Sequence, residues 1–336
     1  MSLNEMGSVG DLMIDAIERH GHRVAFEADG SEFSYAQLGD DVARVIAVFE
    51  ACGLQEGDRI AQIAANRYEM FVIIAAAYIG GYVSLPLQYN ADFDDHIFAI
   101  EDIKPAILIV DEARAGRAAE LAQRSAHEFQ LLTYAELRAR MDKLGGPVLP
   151  IGALVGRTDP KKCARINQTG GTSGRPKAVM ISSEALTYTI LAHTTANAFD
   201  GDTRLLVASP ISHGGGSFIP PVLYKGGRVI LDSKFNPADV IAFVADGRVN
   251  TLFMVPTMMY TLMDHPQAGS LGPGQLKRII YGAAPASPER LRQAMELFGP
   301  VLLQSYGQSE APGTVLYLSP EDHQHPAGES LSSAGR

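Results

Sequence analysis

Cysteine is nearly missing from this sequence: Cys52 and Cys163 are the only two, with no CxxC pair and no disulfide-style spacing. Thiols this sparse exclude a cross-linked secreted scaffold and fit a reducing compartment, so a cytoplasmic protein is expected. Positive charge is scarce as well: 28 Lys and Arg stand against 38 Asp and Glu, the formal net charge is -10, and no cluster gathers five basic residues. Nucleic acid is therefore not an expected partner, because neutralising phosphates requires a basic face. The N-terminus has no basic stretch leading into an apolar one, so no secretory signal is read there. One long apolar run exists, MFVIIAAAYIGGYVSLPL (residues 70–87), and Gly80, Gly81 and Pro86 interrupt it. That pattern predicts a buried helix ending at the glycines and then a short buried strand, with no transmembrane segment. Internal repeats and low-complexity tracts are absent too.

What is present is an ordinary globular composition, 46% hydrophobic and 20% charged over 336 residues, a length that predicts two cores or two joined subdomains. Helical periodicity in YAQLGDDVARVIAVFEACGL (35–54) gives way to short β-branched runs, RIAQIAA (59–65) and AILIV (106–110). The rhythm continues through RLLVASP, GRVILD, TLFMVPTMMYTLMD, LKRIIYG and VLLQSYG, where strands close on Gly or Pro before a helix. Such alternation predicts an α/β fold, with ligands beyond the C-terminal ends of the strands. Residues 143–162, rich in Gly and Pro, read as a linker, and the polar stretch 321–336 reads as a loop where the chain has been cut short.

The densest chemistry lies in TGGTSGRPKAV (169–179). Gly170, Gly171 and Gly174 let backbone N–H groups converge without obstruction by Cβ, while Thr169, Thr172, Ser173 and Lys177 add hydroxyls and a cation, a combination that cradles phosphate. It is not a Walker A loop, since Ala178 follows Lys177 where Ser or Thr is required. Nor is it a nucleophile elbow, because Arg175 stands where the second Gly after Ser173 would be. Taken alone, the stretch could equally be a surface loop. The pair His323 and His325 has no Cys or carboxylate at ligand spacing, which argues against zinc.

This stretch resembles the phosphate-binding signature TSGTTGxPKG of the adenylate-forming superfamily, which includes acyl-CoA synthetases, luciferases and peptide-synthetase adenylation domains. It departs at Gly170, Ser173 and Ala178. YGAAPAS (281–287) resembles the family's adenine-contacting loop, QSYGQSE (304–310) its YGxTE motif, and SPISHGGGSF (209–218) the segment with a gating histidine. FSYAQL, GLQEGDRIA and YIGGYVSLPL match weaker N-terminal blocks, so the likeness runs along essentially the whole chain.

The resemblance implies the family's large, acetyl-CoA synthetase-like N-terminal domain: two packed α/β subdomains with mixed or parallel sheets sandwiched by helices, lacking the C-terminal lid domain. The subdomains should be discontinuous, 66–203 forming one and 1–65 joining 204–320 in the other. ATP, magnesium (Mg2+) and coenzyme A are the implied cofactors and a small carboxylic acid, fatty or aryl, the implied substrate; a homodimer is left open. Implied catalytic residues are Thr169, Lys177, His213 as a gate at the acyl pocket, Ser309 as donor to the α-phosphate, and Glu310 as metal ligand. Gly170, Gly171, Thr172, Ser173 and Gly174 would hold phosphate. Gly282, Ala283, Ala284, Pro285, Gln304, Ser305, Tyr306 and Gly307 would hold the nucleoside. The family's ribose-binding aspartate and hinge motif are not found. The apolar, Met-rich residues 253–263 suit an alkyl or aryl pocket, although such a stripe also suits plain core. A noncatalytic nucleotide- or acyl-binding fragment, or a ligase delivering acyl-AMP to a carrier protein, remain alternatives.

Overall fold

A computed structural model describes residues 7–144, 148–169, 177–324 and 329–336. In chain order its first half runs α1 (Val9–His20), β1 (Val24–Ala28), β2 (Ser31–Ser34), α2 (Tyr35–Ala51), β3 (Arg59–Ile63), α3 (Tyr68–Gly80), β4 (Val83–Leu87), α4 (Phe93–Ile103), β5 (Ile107–Val110), α5 (Ala115–Arg124), β6 (Gln130–Thr133), α6 (Tyr134–Asp142), β7 (Cys163–Thr169) and β8 (Lys177–Ser182). The second half runs α7 (Ser183–Ala196), β9 (Arg204–Val207), α8 (Gly214–Ser217), α9 (Ile219–Tyr224), β10 (Arg228–Leu231), α10 (Pro237–Ala245), β11 (Thr251–Met254), α11 (Pro256–Met263), β12 (Arg278–Gly282), α12 (Pro288–Phe298), β13 (Leu302–Gln308), β14 (Ala311–Leu318) and α13 (Pro320–His323). Two units result: residues 1–23 with 33–188, and residues 24–32 with 189–336.

The first unit is built on a six-stranded sheet in the order β6-β5-β3-β4-β7-β8. Its neighbours pair parallel except β7 with β8, which are antiparallel. Leu85, Leu108, Val110, Ile100 and Leu121 form a buried core against one face. The apolar run at 70–87 behaves as its punctuation predicts: α3 is buried along nearly its whole length, Gly81 closes it in the left-handed region at φ 81°, and β4 follows. Among the described residues no helix is long and apolar enough to cross a membrane.

The second unit carries an eight-stranded sheet in the order β14-β13-β12-β11-β9-β10-β1-β2. From β1 through β13 the described pairings are parallel, and β14 returns antiparallel to β13. Its core gathers Leu206, Leu252, Met259, Ile279, Leu291, Phe298 and Leu302 from strands and covering helices.

The division differs from the expected one. Only residues 24–32, and not the whole of 1–65, group with the later part of the chain. The reason is pairing: β3 sits between β4 and β5, and Phe33 stacks on Tyr68 with ring centroids 3.8 Å apart, so 33–65 belongs with the first unit. Residues 148–162 are likewise not a free linker. Leu154 is buried, the Gly156 N–H donates to Asp11 Oδ1 at 2.7 Å, and Arg157 pairs with Glu50 at 2.8 Å, all inside that unit. Past α13, Leu331 is buried in the second unit's core, and Arg336 exchanges two backbone hydrogen bonds with Tyr317.

Candidate active site

In the eight-stranded sheet the chain passes from β9 to β10 on one side, and β11 then pairs on the other side of β9. Such a switch in winding direction leaves a crevice beyond the C-terminal ends of the two strands, the usual ligand position in an open α/β sheet. The expected residues of this unit cluster at that rim: His213 follows β9, Phe253 lies near the end of β11, Gly282 ends β12, and Gln304 to Gly307 lie within β13.

Gly282 and Ser305 are direct partners across the parallel β12–β13 pair, as are Tyr281 and Gln304. A Cβ on Gly282 would run into the Ser305 carbonyl, so the close approach of the strands requires glycine there. Ala283 then takes φ 65°, and Ala284 and Pro285 stand exposed beside it. Tyr306 leaves the neighbouring strand 47% exposed, a large flat ring open to solvent at a sheet rim. Gln308 pairs with Ala311, so Ser309 and Glu310 form the two-residue connection between β13 and β14, with the Glu310 side chain exposed. One edge of the unit therefore brings together Gly282, Ala283, Ala284, Pro285, Gln304, Ser305, Tyr306, Gly307, Ser309 and Glu310.

Sequence reasoning missed what holds this rim. Tyr281 Oη lies 2.8 Å from His323 Nε2 and 3.1 Å from Gln304 Oε1, while His323 Nδ1 donates to the Ser319 carbonyl at 2.7 Å. Burial holds His323 below the usual imidazole range and raises the Tyr281 phenol, which favours the neutral form of both. His323 is thus a hydrogen-bonded post under Gln304, and no group of His, Cys, Asp and Glu among the described residues could hold a metal on protein ligands alone. On the other side of β13, Ser305 Oγ is 2.7 Å from Thr314 Oγ1, which in turn is 3.4 Å from Nδ1 of His193. His193 sits in the fourth turn of α7, where nothing in the local sequence marks it.

His213 is exposed, with Nδ1 2.8 Å from Ser212 Oγ. The glycines after it have a packing reason. A Cβ on Gly216 would strike the Ile211 carbonyl, and one on Gly215 would come 2.9 Å from the Ser209 carbonyl. Gly214 lies on Phe253, with a built Cβ 3.0 Å from Cζ, and Phe253 meets Phe218 with centroids 4.7 Å apart. The methionines of 253–263 point elsewhere, since Met258, Met259 and Met263 pack into the core of the unit. Of that segment, Phe253 is the residue facing the loop of His213.

Thr169 and Lys177 belong to the first unit, where they pair across β7 and β8 and Thr169 Oγ1 donates to the Lys177 carbonyl at 3.4 Å. Lys177 is exposed. The intervening Gly170, Gly171, Thr172, Ser173 and Gly174 lie outside the described residues.

Comparison with known proteins agrees with this layout. The family model described as AMP-binding enzyme matches residues 14–336. A medium/long-chain-fatty-acid–CoA ligase, FadD8, of Mycobacterium tuberculosis is 29% identical, covering 97% of this chain and 58% of its own length. A feruloyl-CoA synthase of an Amycolatopsis species is 31% identical over 94% of this chain and 61% of its own length. Among solved structures, the amide bond synthetase McbA of Marinactinospora thermotolerans superposes with a TM-score of 0.86 at 28% identity, covering 98% of this chain and 65% of that one. The chain thus spans about three fifths of the curated relatives it matches. With a family match over nearly its full length, the chain belongs to the AMP-binding enzyme family.

Proposed function

We propose that the chain binds ATP and a fatty or aryl carboxylic acid as part of an acid–thiol ligase. The acid is converted to an acyl-adenylate with release of pyrophosphate, and coenzyme A then displaces AMP to give a thioester. The observation that carries this reading is the meeting of Gly282–Pro285 with Gln304–Glu310 at the ends of two adjacent parallel strands, beside the switch point that His213 borders.

Adenine would lie between the small side chains of Ala283 and Ala284 and the face of Tyr306, which offers apolar area with a polar tip. Ser309, on the connection, would donate to the α-phosphate. Attack by a carboxylate on that phosphate brings two anions together, so oriented donors and cations must offset the accumulating charge. Thr169, Gly170, Gly171, Thr172, Ser173, Gly174 and Lys177 would supply them toward the β- and γ-phosphates. His213 would gate the acid pocket and the approach of the thiol.

Glu310 fits magnesium: its carboxylate is exposed, and among the described residues it has no ion-pair partner. No further protein ligands gather there, which suits an ion that takes one or two carboxylates and completes its shell with phosphate oxygens and water. When bound, the ion would draw charge from the phosphate oxygens.

Pyrophosphate exchange into ATP, measured over a panel of fatty and aryl acids, tests the reading. Acid-dependent exchange supports adenylation; AMP binding without exchange for any acid favours a noncatalytic binding module. Replacing coenzyme A by a carrier protein as acceptor distinguishes the carrier-dependent ligase.

A further inference from the structure

Tyr281 is fully buried, and its hydroxyl has one proton for two neighbours, His323 Nε2 at 2.8 Å and Gln304 Oε1 at 3.1 Å. The ring of His323 decides which of them receives it. His323 is 2% exposed, and its Nδ1 lies 2.7 Å from the Ser319 carbonyl, an oxygen that can only accept. Nδ1 therefore holds the ring proton, and Nε2 is left as an acceptor. Burial opposes a second proton on the ring, against the weaker pull of Asp322 on the same helix. The Tyr281 proton thus goes to Nε2, the nearer of the two acceptors.

That leaves Oη facing Gln304 with lone pairs only, and an amide oxygen there would set two acceptors 3.1 Å apart. The Gln304 amide relieves this by turning over, so that its Nε2 donates to Oη; its two ends are close in shape, and the turn leaves the packing as it is. The amide oxygen then faces away from Tyr281, outward at the rim. Gln304 is half-buried there, its side chain makes no other hydrogen bond among the described residues, and Tyr306 stands two residues on along β13. Without the acceptor on His323 the order reverses: Tyr281 donates to Oε1, and the amide shows its N–H groups outward.

We propose that His323 is a positioning residue: by accepting the Tyr281 proton it fixes the Gln304 amide with its oxygen outward, so that the rim favours a base carrying an amino group over one carrying a carbonyl at the same place. This rests on the nucleotide reading of the rim made above. The three side chains come from α13, β12 and β13, and they set the polarity of the rim without altering its shape. Removing the relay should therefore change which base binds better, because a donor set against a donor, or an acceptor against an acceptor, leaves both unpaired. Loss of mere support would weaken both bases alike.

The test is calorimetric titration of the 336-residue chain with AMP and with inosine monophosphate, which has a carbonyl in place of the adenine amino group. Wild type should prefer AMP by about threefold to tenfold, the range of one net hydrogen bond. His323→Phe should reverse the order, inosine monophosphate binding the tighter of the two, while His323→Gln, which restores an acceptor for Tyr281, keeps the AMP preference. Tyr281→Phe should bring the two to within about twofold. Wild type binding both equally, an AMP preference that survives in His323→Phe, or an equal loss for both nucleotides in that variant would overturn the assignment. Ring and amide nitrogen-15 spectra of the wild-type protein give a readout independent of variant folding. His323 should carry its proton on Nδ1, and the Gln304 amide protons should lie against Tyr281; a neutral ring with its proton on Nε2, or amide protons turned away from Tyr281, counts against the proposal. Failure of AMP to bind wild type would sink the nucleotide reading instead, and the nitrogen spectra still decide the relay.

Discussion

Tyr306 is 47% exposed at the rim, and in the proposed site an adenine covers its ring. Tyr306→Ala should therefore weaken AMP binding by about tenfold to a hundredfold, the usual worth of one aromatic–base stack, with little change in melting temperature. Glu310→Gln should remove the magnesium dependence of ATP binding while leaving metal-free AMP affinity near wild type; an equal magnesium response in both proteins would take Glu310 out of the site. Burial holds His193 down to about 4, so between there and 6.5 the unfolded chain binds a proton that the native state refuses. Stability should accordingly be full above pH 6.5 and fall as pH drops toward 4, by about 3 kcal/mol from this residue. Urea titrations of wild type and His193→Phe at pH 7 and pH 4.5 check this, the variant losing less on acidification. The strings 281–287 and 304–310 stood out in the sequence because each resembles a short family motif. His193, Thr314 and His323 did not, since each acts through a partner far along the chain: Thr314 is 121 residues from His193, and Tyr281 is 42 from His323.

Elements add the constraint of shape. β12 and β13 approach so closely at Gly282 that a methyl group there must push against the Ser305 carbonyl, which is backbone and cannot rotate away. Gly282→Ala should cost about 1–3 kcal/mol in denaturant unfolding and, if the proposed nucleotide site is right, weaken AMP binding more than a remote substitution of equal cost. Farther away, α2 begins with a reciprocal cap, Ser34 Oγ accepting from the Gln37 N–H at 3.1 Å and Gln37 Oε1 from the Ser34 N–H at 2.7 Å. Ser34→Ala should lower stability by about 1 kcal/mol without touching nucleotide affinity, a control for the previous variant. Local signals read some of these elements well: the buried helix stops at Gly81 and β12 ends on Gly282 as expected, whereas β9, β10 and β11 end on Val207, Leu231 and Met254, and β13 runs through Gly307 into a hairpin with β14. The glycines after His213 have a packing reason that local sequence does not show: Gly215 and Gly216 let the chain turn back on Ser209 and Ile211. For the methionines of α11 pocket and core were both open from the sequence, and they fill core.

For the molecule as a whole, the decisive facts are topological. The winding order reverses between β9 and β11, the usual ligand position of an open α/β sheet, and the residues singled out in the second unit lie at strand ends on either side of it. Alternation of helix and strand made the α/β class readable, and family motifs made the discontinuity readable. The boundary was not, because which strands pair is a nonlocal property: β3 joins β4 and β5 while β1 joins β10, although only 30 residues separate the starts of β3 and β2's neighbouring turn at Asp29. The central claim is that a nucleotide binds where β12 and β13 end. Amide hydrogen exchange with and without AMP tests it directly. The account predicts slowed exchange in residues 282–287 and 304–310, with β1, β2 and β10 unchanged; binding of AMP that leaves both of those segments unprotected would contradict it.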